Sequence, residues 1–310
     1  MTNNNLTTFV GIVSDLVEKT TSNSESYINF SLNDKVTKID TKAWQTTMEE
    51  MNEKNIENGS FVIIEGKINR FKDKDQIIIN RSNEGLRIRL INENDPINID
   101  QFIKTAPLKD DIMRSYFREK ISEIEDAEYK SFMEQIYFDY ENKILSYPGS
   151  ITVHHDYKMG LAYHMYRMLK SAHALADVYK DINRDLLTIG VLLHDIGKVK
   201  CYDVTIDGVS KGYTLENDLI GHIAIGIIIL EKYELKEDKK DLIRHLILSH
   251  HGKIEYGAVV PPMFKEALIL HMVDNLDARM TIMEDELEKI EEGQVSDRIF
   301  FLDRAKVYKF

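Results

Sequence analysis

The chain has 310 residues, and its composition is that of an ordinary folded protein, with 43% hydrophobic and 30% charged residues. At roughly 100–200 residues per domain, this length predicts about two domains. The longest apolar run, from Ile223 to Leu230, is far shorter than the about 20 residues that a membrane-spanning helix needs. The N-terminus has neither a basic start nor an apolar signal core, and a single cysteine excludes an internal disulfide. These features predict a cytoplasmic protein that does not insert into a membrane.

The net charge of −12 argues against a protein that binds nucleic acid over its whole surface. The charge is unevenly spread, however, because residues 1–90 have a net charge of −1 and residues 91–310 a net charge of −11. Residues 67–89 contain seven basic and three acidic residues. Basic side chains with an interleaved aromatic ring are typical of proteins that bind single-stranded nucleic acid. The candidate nucleic-acid-binding residues in this basic strip are Lys67, Arg70, Phe71, Lys72 and Lys74.

Residues 7–91 are predicted to form mostly strands, because one segment has β-branched residues at close intervals and four further segments alternate apolar and polar residues. Residues 41–55 are predicted to form a helix, because three apolar side chains recur at helical spacing: Trp44, Met48 and Met51. The polar residues 72–75 predict a hairpin tip. Strands followed by one helix and further strands favour a small five-stranded barrel of the oligonucleotide-binding (OB) type. The same order is compatible with another small β-domain used for packing or dimerisation.

The pattern changes at Asp95-Pro96, which ends the strand-rich part of the chain. Residues 100–146 predict helices rich in aromatic residues, and the chain from residue 158 onward is predicted to be nearly all helical. Polar and glycine-rich interruptions lie at 207–213 and 252–262. We therefore predict a multi-domain α+β protein. Its expected parts are an OB-like nucleic-acid-binding domain at 1–92, a helical linker packing on the C-terminal domain at 93–150, and an all-α domain at 151–310.

Histidine is concentrated in one part of the chain, because all ten residues lie between His154 and His271. Five segments place polar residues inside or beside apolar helical stretches: His164, His194-Asp195, His222, His250-His251 and Asp274. Burying such a side chain costs free energy unless it is paired or bound to a metal. A single buried histidine is usually a core residue with a carbonyl partner, but five segments together favour a shared metal site.

The residue types of these five segments indicate which metal ions the site could bind. Adjacent helical residues point about 100° apart, so His194 and Asp195 can meet one metal only where the helix geometry or its end allows it. The two oxygens of a carboxylate can bridge two cations. The absence of cysteine ligands argues against a structural zinc site. Imidazole suits Zn, Mn, Fe or Ni, and carboxylates shift the preference toward harder ions.

The ordered set H…HD…H…HH…D, with 29, 26, 27 and 22 intervening residues, resembles the HD-domain metal-dependent phosphohydrolases. The segments HHDYKMGLAYH, LLHDIGKV, HHGKIEYG and EALILHMVDNLDARM follow an OB-like domain. Together they resemble the YhaM-type 3′-5′ exoribonucleases, also described as CMP-binding-factor proteins. This resemblance covers nearly the whole chain and implies that residues 151–310 form an HD domain.

The resemblance implies one or two divalent metal ions, with manganese favoured and iron, nickel, cobalt, zinc or magnesium as the other options. Asp195 would bridge the two ions. Asp195 would hold the first ion jointly with His164, His194 and Asp274. It would hold the second ion jointly with His222, His250 and His251.

Asp195 and three further residues are candidates for a part in catalysis or for contacts with the substrate. Asp195 would hold the attacking water between the metals and is a catalytic candidate. Lys198 lies one helical turn beyond His194 and is a candidate catalytic residue and phosphate contact. His155, which follows His154 on a predicted loop, and Arg279 are candidate substrate contacts.

The predicted function is a metal-dependent 3′-5′ exonuclease that hydrolyses phosphodiester bonds of single-stranded RNA, with DNA as a further substrate. A metal-activated water at a mono- or binuclear HD site would carry out the hydrolysis. The polarity comes from the resemblance alone. One alternative is an HD hydrolase of small nucleotides or cyclic dinucleotides, although no GYP element follows the HH pair. The other alternative is a non-catalytic nucleic-acid-binding protein. The oligomeric state stays open, and a homo-oligomer is compatible with the sequence.

Overall fold

The structure is a computed structural model that describes residues 6–310 except 36, 73, 80, 83–84, 152–154 and 206–207, and except the side chain of Asp100. Contacts divide the chain into two compact units. The first comprises residues 1–104 and 204–212, and the second comprises residues 105–203 and 213–310. The sequence did not indicate that residues 204–212 belong with the N-terminal part. The domain boundaries after residues 92 and 150 stay predictions.

The first unit is rich in strands, as the sequence predicts. Its elements are β1 (Thr7–Thr20), β2 (Ser26–Asn33), β3 (Lys38–Trp44), α1 (Met48–Glu53), β4 (Phe61–Phe71), β5 (Lys74–Ile79), β6 (Arg81–Ser82), β7 (Gly85–Leu86) and β8 (Ile88–Leu90). A 3₁₀ turn at Ile99–Gln101 follows. A two-stranded hairpin, β9 (Tyr202–Val204) and β10 (Ser210–Tyr213), lies in the predicted polar interruption of the helical region.

The strands of the first unit pair in the order β1-β2-β3-β5-β4-β8, and β1 also pairs with β4. A register shift between Ser14 and Val17 bends the long strand β1. The first part of β1, up to Ile12, pairs with β4, and the chain from Ile12 onward pairs with β2 on both sides of the shift. Residues that alternate along the strands fill a shared core, including Val13, Phe30 and Ile64. The N-terminal region is therefore OB-like, which confirms the predicted fold class.

The predicted helix at residues 41–55 is wrong in its first half. Residues 41–44 belong to β3, where Trp44 lies opposite Tyr27 of β2. Only Met48–Glu53 is helical, and the Thr47 side chain caps this helix by accepting a hydrogen bond from the Glu50 backbone. The pairing of β3 with both β2 and β5 overrides the apolar spacing that suggested a longer helix.

The second unit is helical. Its helices are α2 (Asp110–Ser122), α3 (Ala127–Ile144), α4 (Gly160–Val178), α5 (Arg184–Leu193), α6 (Lys198–Cys201), α7 (Leu215–Leu230), α8 (Glu237–Ser249) and α9 (Lys265–Glu288), with 3₁₀ turns at Ile254–Tyr256 and Phe300–Leu302. Helix α9 packs against α4, α5 and α8, and α7 packs against α6 and α8. In the part of the chain that the structure describes, no helix has the length and apolar character needed to cross a membrane.

Candidate metal centre

The predicted ligands come from five helices or helix ends of the second unit. His164 lies on α4, His222 on α7 and Asp274 on α9. The two pairs of adjacent ligands each stand at a helix end. His194 caps the C-terminus of α5, and His250 caps the C-terminus of α8. Because the chain leaves the helix at these positions, both members of each pair can face the same space.

The structure brings the seven predicted ligands into one cluster around Asp195. Its Oδ2 atom lies 3.2 Å from His194 Nε2 and 4.0 Å from His164 Nε2. Its Oδ1 atom lies 3.6 Å from His222 Nε2 and 3.8 Å from His250 Nε2. The two oxygens of one buried carboxylate therefore face two separate pairs of imidazoles.

The remaining predicted ligands complete the two sides of this cluster. Asp274 Oδ1 lies 3.2 Å from His164 Nε2. Potential ligand atoms of His222, His250 and His251 all lie within 4.8 Å of one another. The same is true of His164, His194 and Asp195. Two potential cation positions thus share Asp195.

Backbone carbonyls orient two of the imidazoles toward the cluster. His194 Nδ1 donates to the Val191 carbonyl oxygen at 2.9 Å, and His250 Nδ1 donates to the Ile247 carbonyl oxygen at 2.7 Å. A proton on Nδ1 leaves Nε2 as the unprotonated nitrogen, the form that ligates a metal. Burial lowers the pKa of His222 to about 4 and also lowers the pKa of His250. Both imidazoles are therefore neutral near pH 7.

Five buried atoms of the cluster have no hydrogen-bond partner among the described residues. They are Nε2 of His194, His222 and His250, Nδ1 of His251 and Oδ1 of Asp195. Unpaired buried polar atoms are costly and rare, yet four imidazole nitrogens and one carboxylate oxygen converge here. This donor set fits divalent cations, because imidazole and carboxylate are ligands that such ions accept.

A carboxylate outside the predicted ligand set, that of Asp277, orients His164. Its Oδ2 atom accepts hydrogen bonds at 2.7 Å from His164 Nδ1 and from His155 Nε2. Its Oδ1 atom lies 2.6 Å from Arg167 Nε. His155, His164 and Asp277 could geometrically hold an ion themselves, but their facing atoms already bond one another. Asp277 is therefore a partner that points His164 Nε2 at the cluster, a common arrangement behind metal-bound histidines.

Two glycines let the chain approach closely enough to place His222. A Cβ atom at Gly197 would overlap the His222 carbonyl oxygen. Gly221, directly before His222, has φ of 72° and ψ of 162° inside α7, a backbone conformation open essentially to glycine. The helix kinks there, and His222 faces Asp195.

Lys198 lies against the Asp195 carboxylate. Its Nζ atom is 2.7 Å from Asp195 Oδ2. Burial would lower the pKa of Lys198, but the Asp195 carboxylate raises it above the usual value. The ammonium group therefore carries its charge at the edge of the cluster, where its side chain keeps 13% exposure. Its role as a phosphate contact stays a prediction.

The other predicted substrate contacts lie elsewhere. His155 is completely buried, and its Nδ1 accepts a hydrogen bond at 2.7 Å from the Tyr157 hydroxyl. This burial argues against a direct substrate contact and places His155 behind Asp277 instead. Arg279 forms an ion pair with Asp303 at 2.8 Å, and its contact with substrate stays a prediction. His154 lies outside the described residues.

Strand alternation divides the basic strip between two faces of the first unit. Lys67 and Phe71 lie on the same face of β4, and Arg70 lies on the opposite face. Phe71 is 54% exposed, and the Nζ atoms of Lys42 and Lys72 each lie 5.5 Å from its ring centroid. Lys74 pairs directly across from Phe71 on β5. A role in binding nucleic acid stays a prediction for all five residues of the strip.

Sequence reasoning missed two side chains beside this strip. Lys42 Nζ lies 5.8 Å from the ring of Trp44, which is 38% exposed and packs on Tyr27 with ring centroids 4.7 Å apart. Both residues fell within the wrongly predicted helix. Had residues 41–44 been predicted as a strand, the alternation of Lys42 and Trp44 would have placed them on one face.

A comparison with protein families shows which class of domain contains the cluster. The family model described as "HD domain" matches residues 161–279, the segment that contains all seven clustered residues. The second unit thus contains an HD domain, a class that depends on divalent metal.

The whole chain is then similar to a particular group of curated proteins. It is 36% identical over 293 residues to the 3′-5′ exoribonuclease YhaM of Bacillus subtilis, covering 93% of this chain and 90% of that protein. It is 33% identical over 303 residues to the protein of the same name from Oceanobacillus iheyensis, covering 96% of this chain and 92% of that protein. The chain belongs to the YhaM family of 3′-5′ exoribonucleases.

Two solved structures resemble part of the chain. The OB domain of a Thermoplasma acidophilum protein matches with a TM-score of 0.24 and 14% identity, covering 32% of this chain and 86% of that chain. A mitochondrial single-stranded DNA binding protein of S. cerevisiae matches with a TM-score of 0.23 and 12% identity, covering 29% and 97%. Both TM-scores are low, and the OB-like assignment rests on the strand order of the first unit.

Proposed function

We propose that this chain is a divalent-metal-dependent 3′-5′ exonuclease that hydrolyses single-stranded RNA. The observation that carries the proposal is the position of Asp195, whose two oxygens face two separate imidazole pairs. Membership of the YhaM family supports both the substrate class and the polarity. Single-stranded DNA is a second substrate candidate.

The ligand set of the proposed site is the one that the sequence predicts: His164, His194, Asp195, His222, His250, His251 and Asp274. When bound there, two divalent cations supply Lewis-acid stabilisation of the attacking and leaving oxygens of phosphodiester hydrolysis. Manganese is the ion that the family resemblance favours, and a donor set of imidazoles and carboxylates is compatible with it. Asp195 and Asp274 contribute the negative charge that offsets the charge of the cations.

The chain's own residues have distinct tasks in this proposal. Asp277 fixes the tautomer and direction of His164, and backbone carbonyls do the same for His194 and His250. Lys198 donates one ammonium hydrogen bond to Asp195 and has two further donors for an oxygen of the scissile phosphate. The first unit supplies a second grip on the polymer through its basic and aromatic face.

The test is an RNA oligomer labelled at its 5′ end, incubated with Mn²⁺ or with chelator and analysed by product length. A ladder that shortens stepwise from the 3′ end, and that is lost with chelator, is the expected result. A panel of small nucleotides and cyclic dinucleotides is run beside it. Turnover of that panel without any shortening of RNA would favour a small-nucleotide hydrolase, and binding without turnover would favour a non-catalytic protein.

A further inference from the structure

Helix α9 exposes a row of apolar side chains along its outer face. We call this row the α9 stripe, and it consists of Leu268, Met272, Leu276, Met280 and Met283. Each of these side chains is between 36% and 52% exposed. Spacings of three and four residues keep them on one side of the helix. A solvent-facing helix side normally carries polar residues, so the stripe has the character of an interface.

The stripe lies on the side of α9 away from the metal centre. Successive helical residues turn by about 100°, so Leu276 and Asp274 point to nearly opposite sides. The buried side of the helix contains Val273 and Asp277. The stripe therefore has no part in holding the proposed cations.

Charges at the two ends of the stripe are opposite and almost symmetrically placed about Leu276. Met272 and Met280 lie four residues on either side of it, and Leu268 and Met283 lie eight and seven residues away. Lys265 lies eleven residues before it, and Glu286 lies ten residues after it. Within the chain, Lys265 Nζ donates to the Lys180 carbonyl oxygen at 3.2 Å, and Glu286 pairs with Lys289 at 2.5 Å.

We propose that the α9 stripe is the two-fold interface of a homodimer, in which α9 packs antiparallel on α9 of a second copy and crosses it near Leu276. In this arrangement the two methionines flanking Leu276 meet their counterparts. Lys265 of each copy faces the acidic end of the other helix at Glu286. A two-fold axis repeats each contact, so one helix provides both charge pairs. This proposal is independent of the proposed exonuclease activity.

Two exposed phenylalanines extend the surface available to the partner. Phe300 and Phe301 are 72% and 54% exposed, and their 3₁₀ turn packs against α9. The Arg279–Asp303 ion pair fixes this turn beside the stripe. A stable interface buries at least about 1,000 Å², and the two rings add apolar area to that of the stripe.

The first test is the mass of the full chain in solution, measured by light scattering during gel filtration at micromolar concentration. We expect about twice the chain mass of 36.0 kDa. Leu276→Asp places like charges at the two-fold axis, and we expect it to raise the dimer dissociation constant by roughly 100-fold. An unchanged far-ultraviolet circular dichroism spectrum and an unchanged urea unfolding midpoint show that this variant is folded. A wild-type monomer, or a Leu276→Asp dimer of undiminished stability, would overturn the proposal.

The second test addresses the antiparallel direction. Lys265→Glu and Glu286→Lys each create like-charge contacts in the proposed dimer, whereas the double variant restores opposite charges. We expect each single variant to weaken the dimer by several-fold and the double variant to recover it. Additive weakening in the double variant would exclude the antiparallel register.

The third test uses a new cysteine, because the native Cys201 is buried. Leu276→Cys brings two thiols together across the axis, and mild oxidation should produce a covalent dimer. Ser131→Cys, at an exposed position on α3, is the matched control and should stay monomeric under denaturing conditions. Equal cross-linking of both variants would contradict the proposed axis.

Discussion

Asp195 is the residue that both sides of the proposed metal centre share, because each of its oxygens faces a different pair of imidazoles. Asp195→Ala should therefore reduce hydrolysis by more than the roughly 10–100-fold that loss of an outer-shell partner causes. Metal analysis of the purified variant should show fewer bound ions per chain. Asp238→Ala, at an exposed position on α8, is the control and should keep wild-type values. Near-normal turnover of Asp195→Ala would rule out the bridging role.

Gly197 provides a separate test of how backbone approach places His222. Gly197→Ala forces a Cβ atom against the His222 carbonyl oxygen, so α6 and α7 must move apart. We expect a loss of about 1–3 kcal/mol in the free energy of unfolding, together with weaker metal binding. The matched control is Gly226→Ala on α7, where a Cβ atom would make ordinary contacts at 3.4 Å or more. Because alanine has a higher helix propensity than glycine, Gly226→Ala should leave the free energy of unfolding unchanged or raise it. Equal effects of the two substitutions would refute the steric argument.

At this scale, sequence predicts residue types better than it predicts their partners. The seven ligands could be predicted because burying polar residues inside apolar helices costs free energy unless they are paired or bind a metal. The hydrogen bonds that orient these ligands could not be predicted from the sequence in the same way. Asp277 looks like any helical carboxylate in the sequence, and only the fold brings it to His155 and His164.

Among the elements, the face that β3 and β4 share is the one best suited to stacking on bases. Trp44 is the only tryptophan in the chain, so its fluorescence reports directly on this face. Adding oligouridylate in the presence of chelator should quench it. Phe71→Leu should weaken binding by roughly 10-fold or more, since a stacked base contributes about 1–3 kcal/mol. Arg70→Gln, one residue away but on the opposite face, should have a much smaller effect. Unaltered fluorescence at saturating RNA would exclude stacking on Trp44.

Helices α2 and α3 are joined by a different kind of contact, centred on Glu141. This carboxylate accepts hydrogen bonds from Arg114 and Arg118. Burial would raise the pKa of Glu141, but the two guanidinium groups hold it below its ordinary value of 4.5. The charged carboxylate therefore stabilises the fold above that pH, and the stabilisation is lost as the pH falls through the lowered value.

Glu141→Gln should accordingly cost about 1–3 kcal/mol at pH 7, and its difference from wild type should shrink below about pH 4.5. Urea unfolding followed by far-ultraviolet circular dichroism measures this, because the helical signal comes mainly from the second unit. Glu123→Gln is the control, because Glu123 is half exposed and pairs only with Lys120 among the ion pairs described. It should change stability by less than about 1 kcal/mol at either pH. A pH-independent cost for Glu141→Gln would show that charge is not the cause.

The sequence predicted helices and strands correctly where no tertiary contact opposed the structure that the apolar periodicity favours. The helices from α4 onward agree with the apolar pattern. Residues 41–44 do not, because pairing with β2 and β5 stabilises a strand there. The hairpin formed by β9 and β10 was predicted only as a polar interruption, since its strands are three and four residues long. Such short strands leave almost no alternation to detect.

For the whole molecule, the net charge of −12 opposes the approach of RNA unless a local surface offsets it. The basic and aromatic face of the first unit is the surface that can do so. Each neutralised phosphate contact should contribute a slope of roughly −0.7 to the dependence of log affinity on log salt for a single strand. A long RNA should therefore depend on this face, whereas a dinucleotide that fills only the metal centre should not.

Replacing Lys42, Lys67, Lys72 and Lys74 by glutamine should thus weaken binding of long RNA and flatten its salt dependence, while dinucleotide hydrolysis stays unchanged. The matched control replaces four exposed lysines of the second unit by glutamine: Lys109, Lys180, Lys232 and Lys306. Both variants lose the same total charge, so only a local grip predicts a difference between them. Filter binding over a salt series and dinucleotide turnover measure the two effects. If the two quadruple variants lose affinity equally, the overall charge is responsible and the first unit is not a substrate grip.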